Sequence, residues 1–272
     1  MTRVHWALLA DIHGNLEALR AVLRDLEDWP DHRLICAGDI VGYGPDPEGC
    51  LELLGERTAV CVAGNHESMV LGRTGFEHCV YAGIVAAAWT RAHLSRSALA
   101  YLAALPTVAR PSPELVVCHA ALDDVERYIT SAPTAELALA GVAREFPGAE
   151  LLVGGHTHFA AFHDGQGSFR RVPVGAAESV ASGRLQLANP GSVGQPRDGK
   201  PGARYARYDA ATRTITWRSV AYDAASTLAK QRERRLVARV VYSLPQTWLE
   251  RKVDGIRSRR ARARFRRLPA FC

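Results

Sequence analysis

The sequence of 272 residues predicts an α/β fold, one sheet of buried strands with a second, more antiparallel sheet packed on it. Three observations carry this expectation. Short apolar runs recur without polar alternation, as strands covered on both faces require. Stretches with helical spacing of leucine and alanine separate them. Beyond Phe159 the pattern changes to short alternating segments broken by glycine and proline.

In chain order, Val4–Ala10 is the first strand, followed by Asp11-Ile12-His13-Gly14-Asn15. Asn15 is a suitable N-cap for a helix in which Leu16, Leu19, Leu23 and Leu26 repeat, until Trp29-Pro30 stops it. The run Leu34–Ala37 is a second strand that delivers Asp39 between Gly38 and Gly42. A glycine-proline loop over 42–47 leads to a short helix over Glu48–Leu54, and Thr58–Ala63 makes a third strand ending in Gly64-Asn65-His66-Glu67. Ser68–Ala104 is helical and is expected to cover one sheet face. Leu115–Cys118 is a strand ending in His119, Thr134 caps a helix closed by Pro147-Gly148, and Leu151–Val153 runs into Gly154-Gly155-His156-Thr157-His158. The later strands include Tyr205–Tyr208 and Ile215–Val220, around a turn at 209–212.

Composition excludes several classes. With 47% apolar and 7% aromatic residues the chain buries a large core. It lacks an eighteen-residue apolar run and a signal-peptide pattern, so no membrane association and a cytoplasmic location are expected. Six scattered cysteines without a C-x-x-C pair read as small core residues. Charge is uneven: from Lys230 onward 14 Lys/Arg stand against 3 Asp/Glu, whereas the preceding 229 residues carry 20 against 25. The organisation expected is a body over 1–229 and a basic, arginine-rich extension over 230–272. The extension is expected to be solvated and partly disordered, with nucleic acid as an unfavoured second reading of its arginines.

Five apolar runs therefore end in Asp11/His13, Asp39, Asn65/His66, His119 and His156/His158. Ligand sites in such sheets lie beyond the strand C-termini. Mixed oxygen and nitrogen donors suit divalent transition metals, and two aspartates, one asparagine and four histidines, His66 left aside, are too many for one four-coordinate ion. They suit two ions sharing a carboxylate.

The motifs Asp11-Ile12-His13, Gly38-Asp39-Ile40-Val41-Gly42, Gly64-Asn65-His66-Glu67, His119 and Gly155-His156-Thr157-His158 resemble, in order, those of the calcineurin-like metallophosphoesterases. The resemblance spans residues 4–200, and the segments 41–47 and 189–199 are similar to the small prokaryotic phosphodiesterase branch. It departs at Ala120, where glycine commonly follows the histidine. It implies a four-layer αββα sandwich of two mixed sheets flanked by helices. It also implies two divalent ions, with manganese expected first and iron or zinc as alternatives. One ion would be held by Asp11, His13, Asp39 and His158, the other by Asp39, Asn65, His119 and His156. The implied reaction is hydrolysis of a small or nucleotide-like phosphodiester by a metal-bridged hydroxide, with His66 as proton donor. Asn65 is expected to contact the substrate as well, and Arg197, whose guanidinium can pair with phosphate oxygens in a bidentate fork, is a candidate phosphate clamp. A phosphomonoesterase is the near alternative. In the protein serine/threonine phosphatases of this superfamily an aspartate and an arginine stand where this chain has Gly42 and Tyr43, which argues against that activity. A non-catalytic scaffold on the same fold is the rival from another class, and it predicts loss of His66, which is present. The oligomeric state is not legible.

Overall fold

The computed structural model describes residues 5–77, 79–236 and 248–265. The strand-loop-helix units appear where expected. Strand β1 (His5–Leu9) leads to helix α1 (Leu16–Asp25), whose N-cap Asn15 accepts the Ala18 N–H at 3.2 Å. Strand β2 (His32–Cys36), helix α2 (Pro47–Gly55) and strand β3 (Thr58–Cys61) follow. Helix α3 (Asn65–Val70) starts earlier than the sequence pattern suggests, so Asn65 and His66 occupy its first turn rather than a loop. Helices α4 (Tyr81–His93) and α5 (Arg96–Ala104) complete the helical stretch.

Strands β4 (Val108–Ser112) and β5 (Leu115–Cys118) precede helix α6 (Ala132–Glu145). Ser131, not Thr134, is the N-cap of α6; Thr134 sits one turn in, and its Oγ1 accepts the Ser131 N–H at 3.1 Å. Then come β6 (Leu151–Val153), β7 (Ala160–His163), β8 (Phe169–Arg171), β9 (Ala177–Ser179) and β10 (Gln186–Pro190). Strands β11 (Ala203–Asp209) and β12 (Thr214–Val220) and helices α7 (Ala224–Glu233) and α8 (Trp248–Phe265) finish the described chain.

Among the described residues the strands form two six-stranded sheets, ordered β3-β2-β1-β11-β12-β9 and β4-β5-β6-β10-β7-β8. Both are mixed: β1–β2–β3 and β5–β6–β10 are parallel, and the flanking pairs antiparallel. The later strands thus do not form a separate sheet, as the sequence pattern suggests. They complete both sheets, β11 pairing along β1 and β10 along β6. The reason is that β1 and β6 each offer an open, fully buried edge, and a buried backbone edge must be paired.

Strand alternation builds the layers. Trp6, Leu8 and Ala10, with Trp217 of their own sheet, face the other sheet, where they meet Val117, Val153 and Phe162, while Ala7 and Leu9 face Leu19 and Val22 of α1. On the far side Val116, Leu152 and Leu187 pack against Ala135 and Val142 of α6. The result is helix, sheet, sheet, helix, the four-layer architecture expected. Trp217 ties the sheets together, its indole N–H donating to the Asn189 carbonyl at 2.8 Å.

Two features at the C-terminal end differ from the sequence expectation. Helix α7 runs through the boundary drawn at 229/230, with Lys230 Nζ 2.8 Å and Arg234 Nη1 2.9 Å from the Asp46 carboxylate and Gln231 donating to the Tyr43 carbonyl at 3.4 Å. Over Trp248–Phe265 the expected solvated tail is instead a helix on α4. Ser258 and Ala261 are buried one turn apart, and Arg262 Nη1 donates to the carbonyls of Glu77 and Cys79 at 3.2 and 3.3 Å. A face of small residues lets the helix dock while Arg257, Arg259, Arg260 and Arg264 stay toward water. Arg266 and Arg267 lie outside the described residues. Among the described residues five cysteines are free, and all but Cys79 are buried. No described helix is long and apolar enough to cross a membrane.

Candidate metal site

The ends of β1, β2, β3, β5 and β6 meet at one end of the sandwich. The turns that follow are tight: Asp11, His13, Asp39, Tyr43, His156 and His158 all have φ between 50° and 65°. Side-chain-bearing residues enter this region at a cost of order 1–3 kcal/mol each, so the surroundings must hold them. Hydrogen bonds between the turns do so. Asp11 and His13 donate their N–H groups to the carbonyls of Gly38 and Asp39 at 3.1 and 2.9 Å, and Gly155 donates to His119 at 2.7 Å. The segment after β10 clamps the first turn, with Val193 and Gly194 donating to Ala10 and Asp11, and Ser192 Oγ to the Asp11 carbonyl at 2.7 Å. Asn189 holds the histidine loop through its Nδ2, 2.6 Å from the Gly155 carbonyl.

The side chains so positioned are buried and form three overlapping groups, Asp11/His13/His158, His13/Asp39/His66 and Asp39/His119/His156, with donor atoms within 4.8 Å of one another in each. Asp39 Oδ2 lies 3.8 Å from His13 Nε2 on one side and 3.2 Å from His119 Nε2 on the other. Asp11 Oδ1 is 3.6 Å from His158 Nε2. Asn65 Oδ1 is 3.1 Å from both His119 Nε2 and His156 Nδ1. Every sequence-predicted donor is therefore in one cluster, including His119 despite the alanine that follows it.

The ring tautomers indicate what kind of group the cluster would accept. His13 Nδ1 and His158 Nδ1 face the carbonyls of Val41 and Gln195 at 3.1 and 2.6 Å, and a carbonyl only accepts, so both Nδ1 atoms carry the hydrogen. Their Nε2 atoms then meet as two lone pairs 3.0 Å apart. Neither is relieved by protonation: burial, then the charge of His66 at His13 and of Arg197 at His158, hold both rings well below the usual histidine value. Asp11 Oδ2 is also buried without a partner. Converging lone pairs beside an orphaned carboxylate oxygen fit a cation of the imidazole- and carboxylate-binding kind. Asp39 and His119 act strongly on each other at the centre. Burial opposes the charge of Asp39, yet His119, His66 and His13 outweigh it and hold the carboxyl well below its usual range. His119 loses by burial but gains more from Asp39, which pushes it up to about 10.

Comparison with known proteins places this geometry. The profile of the calcineurin-like phosphoesterase superfamily domain matches residues 4–213. The chain belongs to the calcineurin-like phosphoesterase superfamily. An uncharacterised protein of Methanocaldococcus jannaschii, MJ0912, is 31% identical over 233 residues, covering 85% of this chain and 93% of its own length. A metallophosphoesterase from Sphaerobacter thermophilus superposes with a TM-score of 0.76 at 32% identity, covering 88% of this chain and 97% of that one. The hypothetical protein PH1004 from Pyrococcus horikoshii OT3 shares the fold at a TM-score of 0.67 and 18% identity, over 88% and 96% of the two chains. The protein is thus a phosphoric ester hydrolase of a divalent-metal-dependent superfamily.

Several residues of this phosphoesterase site carry roles that the sequence reading missed. Glu67, fully buried, accepts three backbone N–H groups, from Asp39 at 2.9 Å, Gly64 at 2.7 Å and Val41 at 3.1 Å. Burial and the charge of Asp39 push its carboxyl up to about 7 against those donors. Its place three residues after the Gly64 N-cap is the capping-box spacing, a signal that could have revealed it. Gly64 is glycine because Asp39 is there: a Cβ would stand 2.2 Å from Asp39 Oδ1. Likewise a Cβ on Gly42, at φ +87°, would lie 2.1 Å from His66 Nδ1. The ring of His66 fills the space that a side chain at residue 42 would need. It is held by packing, tilted on Tyr43 at 4.6 Å and edge-on to His13 at 4.8 Å. At the mouth, Arg197 Nη1 donates to Tyr128 Oη at 3.3 Å, and the Tyr128 ring covers His156 at 4.3 Å. Nothing in the local sequence marks Tyr128.

Proposed function

We propose that the protein is a dinuclear-metal phosphodiesterase acting on small or nucleotide-like phosphodiesters. The observation that carries this reading is Asp39 Oδ2, between His13 and His119 at 3.8 and 3.2 Å, a single carboxylate shared by two donor groups. One metal would be held by Asp11, His13, Asp39 and His158, and the other by Asp39, Asn65, His119 and His156, with manganese the first candidate for these donors. When bound, the ions supply Lewis-acid activation of water and neutralise charge on the phosphoryl oxygens.

The chain supplies the rest. A water attacks phosphorus in line, the bond to the leaving oxygen breaks, and that oxygen takes its proton from His66. The ring of His66 is suited to this because its packing on Tyr43 and His13 fixes it beside the donor cluster. Arg197 would grip phosphoryl oxygens with its planar fork, and Asn65 would face the same oxygens. Gly42 and Tyr43 disfavour protein phosphatase activity. The buried free cysteines agree with our placement of the protein in a reducing cytoplasm.

The test compares turnover of bis(p-nitrophenyl) phosphate and p-nitrophenyl phosphate after loading with manganese. Faster hydrolysis of the diester is expected. Faster hydrolysis of the monoester would make the protein a phosphomonoesterase, and turnover of neither, with any of manganese, iron or zinc, would overturn the enzymatic reading.

A further inference from the structure

Resting on the phosphodiesterase reading, we infer that Tyr128 is a stacking platform for the base of a nucleoside carried on the substrate phosphate, set beside Arg197 as the phosphate grip. Tyr128 is 50% exposed, and among the described residues it is the aromatic one of the large exposed apolar side chains. Its position is specific. The ring lies against His156, centroids 4.3 Å apart and planes inclined at 47°, so it stands one ring outward from the metal-ligating cluster. At that distance it meets a substituent of the phosphate rather than the phosphoryl oxygens. Its hydroxyl accepts from Arg197 Nη1 at 3.3 Å, which couples the platform to the cation.

The loop that presents Tyr128 is built rather than slack. His156 Nε2 faces the Glu126 carbonyl at 3.0 Å, Ala121 and Asp124 exchange backbone hydrogen bonds at 3.2 and 3.3 Å, and Arg127 makes a two-pronged contact with Asp123 at 2.8 and 3.0 Å. A half-exposed ring on a fixed loop leaves apolar area in water until something flat covers it. A base linked to phosphate supplies both complements, a π-face for the ring and an anion for the guanidinium. An alkyl phosphodiester supplies only the second. Base-on-aromatic stacking of this kind is sequence-tolerant, so the platform selects nucleosides as a class rather than one base.

The experiment uses two esters with the same leaving group, the p-nitrophenyl ester of thymidine 5′-phosphate and methyl p-nitrophenyl phosphate. In Tyr128→Leu the ratio of their kcat/KM values is expected to fall roughly 5- to 100-fold, mainly through KM, whatever factor both esters lose together. Tyr128→Phe, which keeps the ring and drops the hydroxyl, is expected to retain the ratio. Calorimetric binding of thymidine 5′-phosphate and methyl phosphate to the same three proteins should follow the same pattern. An unmoved ratio in Tyr128→Leu, an equal loss in Tyr128→Phe, or equal binding of the two phosphates by the unsubstituted protein overturns the inference. If neither ester is hydrolysed but thymidine 5′-phosphate binds more tightly through Tyr128, the platform stands and the phosphodiesterase reading falls; if both are hydrolysed and the ratio is unmoved, the reverse holds.

Discussion

Glu67→Gln should destabilise the fold and the site together. In the native protein Oε2 accepts from Asp39 and Gly64, and Oε1 accepts from Val41. Glutamine has one oxygen. If it takes the place of Oε2, its amide group faces the Val41 N–H, and a buried donor is left without an acceptor at a cost of about 1–3 kcal/mol. The two remaining bonds change from charge-assisted to neutral, which roughly halves each. Against this, glutamine carries no charge to bury, and burial of that charge is the main reason the Glu67 carboxyl is pushed up to about 7. The net expectation is about 2–4 kcal/mol, or roughly 5–15 °C in melting temperature for a domain of this size. Because Asp39 is one of the three donors, kcat should fall as well. Thermal melts and steady-state kinetics check both, with Glu52→Gln on the exposed face of α2 as a control that should shift stability by no more than about 0.5 kcal/mol. A Glu67→Gln protein that melts with the unsubstituted one and keeps its kcat would refute the view that these three hydrogen bonds position Asp39.

Asp39→Asn should weaken both metals at once, whereas His13→Ala and His119→Ala should each weaken mainly one, as read from metal-to-protein ratios after dialysis. His66→Ala should retain its metal and lose roughly 10²- to 10⁴-fold in kcat, the range for a missing proton donor; full activity would remove His66 from the reaction. Asp25 binds Tyr205, Arg207 and Arg218. Burial opposes its charge, but Arg218 and Tyr205 outweigh it and hold the carboxyl below its usual 3.8. Its contribution is therefore present above that value and lost as pH falls through the lower folded one. Asp25→Asn should melt below the unsubstituted protein at pH 7, with the gap closing below about pH 4; a gap independent of pH would refute the ionic account.

The candidate metal ligands were legible because each lies within a few positions of an apolar run that names itself as a strand. Asp11, Asp39 and His119 need only the rule that such strands end on one rim. What decides sheet membership is not local. Trp6 and Trp217 have the same apolar character, yet that β12 joins β1's sheet through β11, while β10 joins β6's, depends on which edges remain open after the first half has folded. The arginine run misled for a related reason: its charge is plain, whereas Ser258 and Ala261, the residues that let α8 dock, are small and carry no signal until α4 lies opposite. Gly42 shows the limit most clearly. The sequence tells that no acid follows Asp39 to orient His66, and this reads as a missing part. In the fold it is space: a Cβ there would stand 2.1 Å from His66 Nδ1, so the glycine admits the ring and Tyr43, next in the chain, packs on it at 4.6 Å. An absent side chain and a neighbouring aromatic therefore do by packing what an aspartate would do by a hydrogen bond. It follows that Gly42→Asp should displace His66 rather than orient it.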